Sequence, residues 1–373
     1  VPVLPAGRDD TFVLESLSGQ ALLRLGINLQ VDARATPGGA RERPVGLRRL
    51  RPVVSGAVRR GVQFRFMPDF AGDRAEVFDA YVDLGGTAAR LLAGKFKTPF
   101  GLERLQNATN LAFLERGLSD SLVPNRDVGL QVHGEPLGRR LRYAVALLNG
   151  APSGGSASIE ADRAKDLAAH LFAHPWLGEH GRLGLGAAVT RGERQGTGNA
   201  PQLAAYRTPA REAYFQYAKG VWLQGTLRRG TLHGYLFFRR LGVLAEGVQI
   251  EEHVAGETLA PTRLVHRGWQ VQGTVQLTDD EARFDGAIPR RPLHEGGPGA
   301  LALSGRIDGV TMDARSLAGA AAEGASLRLR SYTYGLTWVP DGHFRAQIEH
   351  VLLLRRGAGS VEHAIQARLG ARF

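Results

Sequence analysis

From Arg24 to Arg34 the sequence reads RLGINLQVDAR, with polar and apolar residues alternating without a break. Leu25, Ile27, Leu29, Val31 and Ala33 fall on one side, and Arg24, Gly26, Asn28, Gln30, Asp32 and Arg34 on the other. A period of two belongs to a strand with one apolar and one polar face, whereas a helix repeats every 3.6 residues. The same alternation recurs in VQFRF (62–66), RDVGLQVHG (126–134), GRLGLGAAVTRG (181–192), GWQVQGTVQLT (268–278) and SYTYGLTWV (331–339). Between residues 21 and 373 it predicts about sixteen antiparallel strands, two of them at 213–228 and 231–250.

A half-buried strand and a strand in a lipid-facing barrel share this pattern, so the solvent of the apolar face decides the fold class. No run approaches the 18 apolar residues of a membrane-spanning helix, but a barrel strand crosses with only about 9–11 residues of weak alternation. Three features favour lipid. The polar faces are rich in Gln, Thr, Gly and Arg, as a wet lumen requires. Trp222, Trp269, Tyr334 and Trp338 lie at or near strand ends, where an interfacial girdle sits. Tight connections (Gly85–Gly86, Pro136–Arg140, Pro340–Gly342) alternate with long ones. The final segment, VEHAIQARLGARF, places Val361, Ile365, Leu369 and Phe373 on one face and stops on an aromatic residue, as bacterial outer-membrane barrels do. The expectation is an all-β transmembrane antiparallel β-barrel over 21–373, entered from an N-terminal periplasmic segment at 1–20. Its place is the bacterial outer membrane, in contact with membrane lipid and lipopolysaccharide, the signal peptide already removed from a chain beginning VPVLPAGRDD.

Charge narrows the partners. Lys and Arg number 47 against 36 Asp and Glu, a net +11, and only Lys95, Lys97, Lys165 and Lys219 are lysines. Such a chain attracts anions. A nucleic-acid binder bunches its cations with stacking aromatics, whereas here they are spread over every strand and the aromatics lie on the opposite face. The eleven His show no metal-ligand spacing, Cys is absent and no GxSxG occurs, so no catalytic residue, metal or cofactor is expected. An outer-membrane barrel enzyme stays as a remote alternative.

By alternation the basic residues facing the lumen include Arg24, Arg34, Arg49, Arg51, Arg65, Arg142, Arg182, Arg306 and Arg368. Each alone also fits wall charge balanced by Asp32, Asp79, Asp127 or Glu362; as a set under +11 they favour anions. Lys95 and Lys97 share a face of the strand feeding Gly101–Asn125, a stretch too long for a hairpin loop, in which Leu105, Ala108, Ala112 and Leu114 suggest short helical turns. Within it Arg104 and Arg116 either face an ion path or pair with Glu103 and Glu115.

The run from Gly94 to Glu135 resembles the most recognisable block of the phosphate-selective porin O and P family. It carries Lys95-x-Lys97-x-Pro99-Phe100-Gly101-Leu102-Glu103, then Phe113-x-Glu115-Arg116, then Asn125-Arg126-Asp127-x-Gly129. Weaker likenesses lie in LRLGINLQVDARA (23–35), LRRLRPVVSGAV (47–58), IPRRPL (288–293) and YGLTWVPDGHFRAQIEHV (334–351). The resemblance implies a homotrimeric porin of sixteen strands whose long loop, here 101–125, folds inward as a constriction loop. It also implies basic side chains leading small inorganic anions such as phosphate to the narrowing. A broad-specificity porin of the same fold, or one tuned to pyrophosphate, sulfate or an organic acid, fits the sequence as well.

Overall fold

The computed structural model describes residues 12–35, 45–160, 163–204, 206–355 and 361–373. Of the expected 1–20 segment, residues 1–11 lie outside the described residues; Phe12–Glu15 is a short strand pairing back onto Leu22–Leu25.

Sixteen strands form the wall: β1 (Leu22–Ala35), β2 (Val45–Arg59), β3 (Val62–Asp69), β4 (Glu76–Gly85), β5 (Arg90–Lys97), β6 (Arg126–Gly134), β7 (Leu141–Leu148) and β8 (Asp166–Leu177). They continue as β9 (Gly181–Gln195), β10 (Val221–Phe238), β11 (Leu241–Gly256), β12 (Thr262–Gln276), β13 (Ala300–Thr311), β14 (Arg328–Val339), β15 (Phe344–Arg355) and β16 (Val361–Arg372). Each pairs antiparallel with its neighbour, and β16 returns to β1 from Asn28↔Arg372 to Ala35↔Ile365. Closure leaves no unpaired edge, which is what a sheet in hydrocarbon needs.

The burial is inside out. On β13 Ser304, Arg306 and Asp308 are enclosed, while Leu303 and Ile307 on the alternate positions are exposed. Leu185, Val189, Leu232 and Leu236 stand exposed on β9 and β10 opposite the enclosed Arg229, Thr231 and His233. Each such Leu or Val gains roughly 1.5–3 kcal/mol on leaving water for lipid. The apolar face therefore sees lipid.

Six of the connections at one end are short, with turns such as 239–240 and 340–343; the other end carries the long loops. One connection breaks the rule at the short-turn end. Residues 277–299 fold over the mouth, where the Phe284 ring stacks on Tyr235 with centroids 5.1 Å apart.

Two sequence expectations need correction. The segments expected at 213–228 and 231–250 are cut elsewhere, because Gly230 lies inside an 18-residue β10 and the turn is at Arg239–Arg240. Ala213–Phe215 instead pairs with Tyr206–Arg207 in a small hairpin of the loop between β9 and β10. The second concerns β2, where Gln30 pairs with Arg49 but Val31 pairs with Leu47. Arg48 is the extra residue of a β-bulge, so strict alternation fails there.

Candidate functional site

The loop joining β5 and β6 lies across the barrel interior. It makes one α-helical turn at Leu102–Leu105 and a 3-10 turn at Leu118–Leu122, and Leu111, Phe113, Leu114, Leu118 and Leu122 are almost fully buried beneath it. Its backbone donors are satisfied by carboxylates on the far wall. Leu102 N–H donates to Glu246 at 2.8 Å, Leu114 N–H to Glu349 at 2.8 Å and Leu118 N–H to Asp308 at 2.9 Å. Wall cations hold its carbonyls: Arg306 donates to Glu115 O at 3.0 Å, and Arg345 to Thr109 O at 2.9 Å and Leu111 O at 2.6 Å. A loop crossing a lumen without such partners would leave buried backbone groups unpaired, at about 1–3 kcal/mol each.

What the loop leaves open is a cavity of ≈ 1450 Å³ running from Arg24, His343 and Phe373 at the short-turn end up to Arg48, Arg49 and Arg211. The carboxylates among its described lining residues are Asp79, Glu115, Asp120 and Asp285, against seventeen Arg and Lys.

Glu115 is the hub of one charged layer. Arg48 donates to both its oxygens, at 2.6 and 3.0 Å, and Arg34 and Arg368 reach Oε1 at 3.2 and 3.1 Å. Arg49 Nη2 stands 3.9 Å from Oε2. Burial pushes the Glu115 carboxyl up, but these guanidinium groups, Arg48 first, outweigh it and hold it well below the usual carboxylate range. Asp32 balances Arg368 at 2.6 Å and Arg34 at 3.0 Å. Four guanidiniums thus share two carboxylates.

A second layer lies beside it. Arg51 pairs with Asp69 at 2.7 Å, and Arg65 and Arg126 share Asp79 at 3.2 and 2.8 Å. The Phe78 ring sits under both Arg51 and Arg126, 4.0 and 4.6 Å from centroid to guanidinium carbon. Nearer the short-turn end Arg142 pairs with Glu135 at 2.8 Å, while Arg24 and Arg182 make no ion pair among the described residues. Arg binds oxyanions bidentately and keeps its charge when partly desolvated.

Of the residues singled out in the sequence, Arg24, Arg49, Arg51, Arg65, Lys97, Arg104, Arg116, Arg142 and Arg182 line this cavity. Arg34 touches its edge through Glu115 and Ala210 O. Arg306 and Arg368 face inward but lie behind the loop, almost wholly enclosed. Lys95 is covered by the loop after β7, donating to Ser158 at 2.6 Å with Glu76 at 3.6 Å. Lys97 donates to the carbonyls of Leu105 and Gln106 at 3.1 and 2.9 Å, fastening the loop's first turn. Arg104 pairs with Asp120 at 2.5 Å, and Arg116 donates to Glu103 O and Gln106 O, each at 2.9 Å; the carboxylate they share is Asp120. Sequence reasoning passed over Arg48, which the bulge turns inward, and Arg207 and Arg211, which the hairpin in the β9–β10 loop delivers to the cavity. It also passed over Arg283 and Arg290, brought in by the 277–299 fold, and no alternation could have marked them.

No curated protein matches the sequence. Among solved structures, the chain is similar to the outer membrane channel DcaP of Acinetobacter baumannii, with a TM-score of 0.62 and 13% identity over 96% of this chain and 99% of that one. An anion-selective porin from Comamonas acidovorans gives 0.58 and 9% over 95% and 100%. The trimer form of OmpT, an outer membrane protein of Vibrio cholerae, gives 0.56 and 11% over 95% and 100%. At these identities the structures speak for the barrel alone. The sequence profile of phosphate-selective porin O and P matches residues 23–363, and the chain belongs to that family of outer-membrane porins.

Proposed function

We propose that this porin is anion-selective and passes phosphate-like anions by passive diffusion, as a homotrimer. The observation that carries this is the layer in which, among the described residues, Arg34, Arg48, Arg49 and Arg368 pair with Asp32 and Glu115 alone. An anion entering it exchanges part of its hydration for charge-assisted hydrogen bonds in a partly desolvated passage, and a cation meets a field of the wrong sign. Arg24, Arg49, Arg51, Arg65, Arg142 and Arg182, with Arg48 and Arg126, form the path. Arg306, Arg368, Arg104, Arg116 and Lys97 keep the constriction loop in place, and Lys95, held by Ser158 and Glu76, lies outside the path.

The family's description and the anion-selective Comamonas neighbour support this reading, and the trimer form of OmpT supports the assembly. β3 to β7, eight to ten residues each, make the low side of the barrel and the wall we assign to subunit contacts. Single-channel recording across a KCl gradient, followed by phosphate titration, tests the proposal. Anion-selective reversal with block of chloride current by phosphate is expected. Anion selectivity without block leaves a general anion pore, and block by pyrophosphate, sulfate or an organic acid at lower concentration reassigns the substrate. Cation selectivity refutes the proposal.

A further inference from the structure

The tall side of the barrel carries a row of arginines on its lipid-facing surface that the pore does not use. Arg191 on β9, Arg228 on β10, Arg263 and Arg267 on β12, and Arg328 and Arg330 on β14 are all exposed. They alternate with enclosed lumen residues and share faces with Val189, Leu232, Trp269 and Leu336. Strand register makes the row continuous: Arg191 pairs with Arg228, Arg228 with Glu251, Gln249 with Arg267, Arg267 with Thr311 and Thr311 with Arg328.

Its height is set by the strands. Phe238 and Trp338, exposed at the short-turn end, mark the lower aromatic girdle, where Trp176 lies 6.0 Å from Phe238 between ring centroids. Arg228 and Arg328 stand ten residues further along the same faces of the same strands. A tilted barrel strand crosses the hydrocarbon in about 9–11 residues, so the guanidiniums emerge at headgroup level on the long-loop side. Arg330, 5.9 Å from the Trp269 ring centroid, caps an aromatic at that upper boundary.

The charge is compensated only in part: Glu251 stands opposite Arg228, and Glu193 is exposed two residues from Arg191 on the same face. Glu251 pairs with Arg263 at 2.6 Å, and Arg267 donates to Gln249 at 2.8 Å. Arg191, Arg228, Arg328 and Arg330 form no salt bridge among the described residues. Two arginines directly opposite across an antiparallel pair, as Arg191 and Arg228 are, repel one another unless an anion lies between them. At the same end β6 to β8 present Leu130, Leu147 and Leu167 instead, so the row belongs to one wall.

We propose that the outward face of β9–β14 is a docking surface for a phosphorylated glycolipid of the outer leaflet, a lipopolysaccharide bearing phosphates on its lipid A. Its acyl chains lie on Val189, Leu232, Trp269 and Val271, and its phosphates bridge the guanidiniums of Arg191, Arg228, Arg267 and Arg330. The assignment rests on the outer-membrane placement of the barrel and on no property of the pore.

The test is native mass spectrometry of the detergent-purified assembly with bis-phosphorylated lipopolysaccharide, the same lipid after phosphatase treatment, and inorganic pyrophosphate. The intact glycolipid is expected to bind at least about tenfold more tightly than the dephosphorylated one. Arg228→Gln/Arg267→Gln/Arg330→Gln is expected to lose about the same factor, since each cation at an anionic surface adds to binding. Neutralising Arg60, Arg140 and Arg240 at the short-turn end is expected to change nothing. Unaltered reversal potential and heat-modifiable mobility of the triple variant separate this outcome from misfolding and from failure of the channel reading. Equal binding of both lipids by the unmodified protein, or of the intact lipid by the folded triple variant, overturns the proposal. Free pyrophosphate bound as tightly as the glycolipid overturns it too, in favour of a soluble-anion site.

Discussion

Arg48 and Glu115 touch each other and line the same cavity, so neutralising each in turn should move ion selectivity in opposite directions. The layer of Arg34, Arg48, Arg49, Arg368, Asp32 and Glu115 carries a formal charge of +2. Arg48→Gln lowers it by one unit and Glu115→Gln raises it by one. A unit charge about 6 Å from a passing ion contributes about 0.7 kcal/mol at the dielectric constant of water and about 2.8 kcal/mol at an effective value of 20. These bounds correspond to about threefold and about a hundredfold in the local population of each ion, in opposite senses for anion and cation, so the anion-to-cation ratio moves by the square of that factor. The Arg48 side chain is 20% exposed and sees salt, which argues for the lower part of that range, about three- to tenfold for each ion. The loop keeps its geometry in both variants, because Leu102, Leu114 and Leu118 remain bonded to Glu246, Glu349 and Asp308. Reversal potentials in a tenfold KCl gradient at low ionic strength read the result. Arg48→Gln should shift toward cations and Glu115→Gln toward anions. Shifts of the same sign, or none in either variant, would show that this layer does not face the ion path.

Because Glu115 is held well below the ordinary carboxylate range, its charge persists under mild acid, and the selectivity shift of Glu115→Gln should be the same at pH 7 and pH 5; a shift that vanishes by pH 5 would contradict this. Deleting Arg48 heals the bulge in β2 while leaving Leu47 outward and Arg49 inward, so the deletant should still assemble, as heat-modifiable mobility reports, and match Arg48→Gln in selectivity. Failure to assemble would mean that the bulge itself is required. Glu246→Ala/Glu349→Ala leaves buried loop N–H groups without acceptors, at about 1–3 kcal/mol each, and should raise open-channel noise and mean conductance; currents identical to those of the unmodified protein would argue that the Arg306, Arg345 and Arg368 clamps suffice. Leu122→Ala, at the buried end of the 3-10 turn, should weaken loop docking by about 2–5 kcal/mol, measurable as faster proteolysis within 101–125.

The strand count was legible because lipid and lumen impose a two-residue period on every strand, and that period survives without any knowledge of neighbours. The boundaries of β10 were less so. Eighteen residues exceed what a crossing requires, so Arg228-Arg229-Gly230 inside the strand resembled a turn as much as Arg239-Arg240 did. At the site, alternation told lumen from lipid for Arg24, Arg51, Arg65 and Arg182.

The sequence alone determined that this chain is a closed sheet with apolar residues outside, a basic lumen and one stretch, 101–125, too long to be a turn. Those are properties of local period and composition. Only the tertiary structure decided which inward arginines meet water. Arg306 and Arg368 follow the same alternation as Arg51, yet the loop, anchored more than 200 residues away in sequence, covers them and leaves Arg51 lining the cavity. A single extra residue at Arg48 turned two adjacent side chains into one lumen, and folded connections brought in Arg211 and Arg283 from outside the wall. Exposure within a pore depends on what packs across it, a long-range contact that no local period encodes.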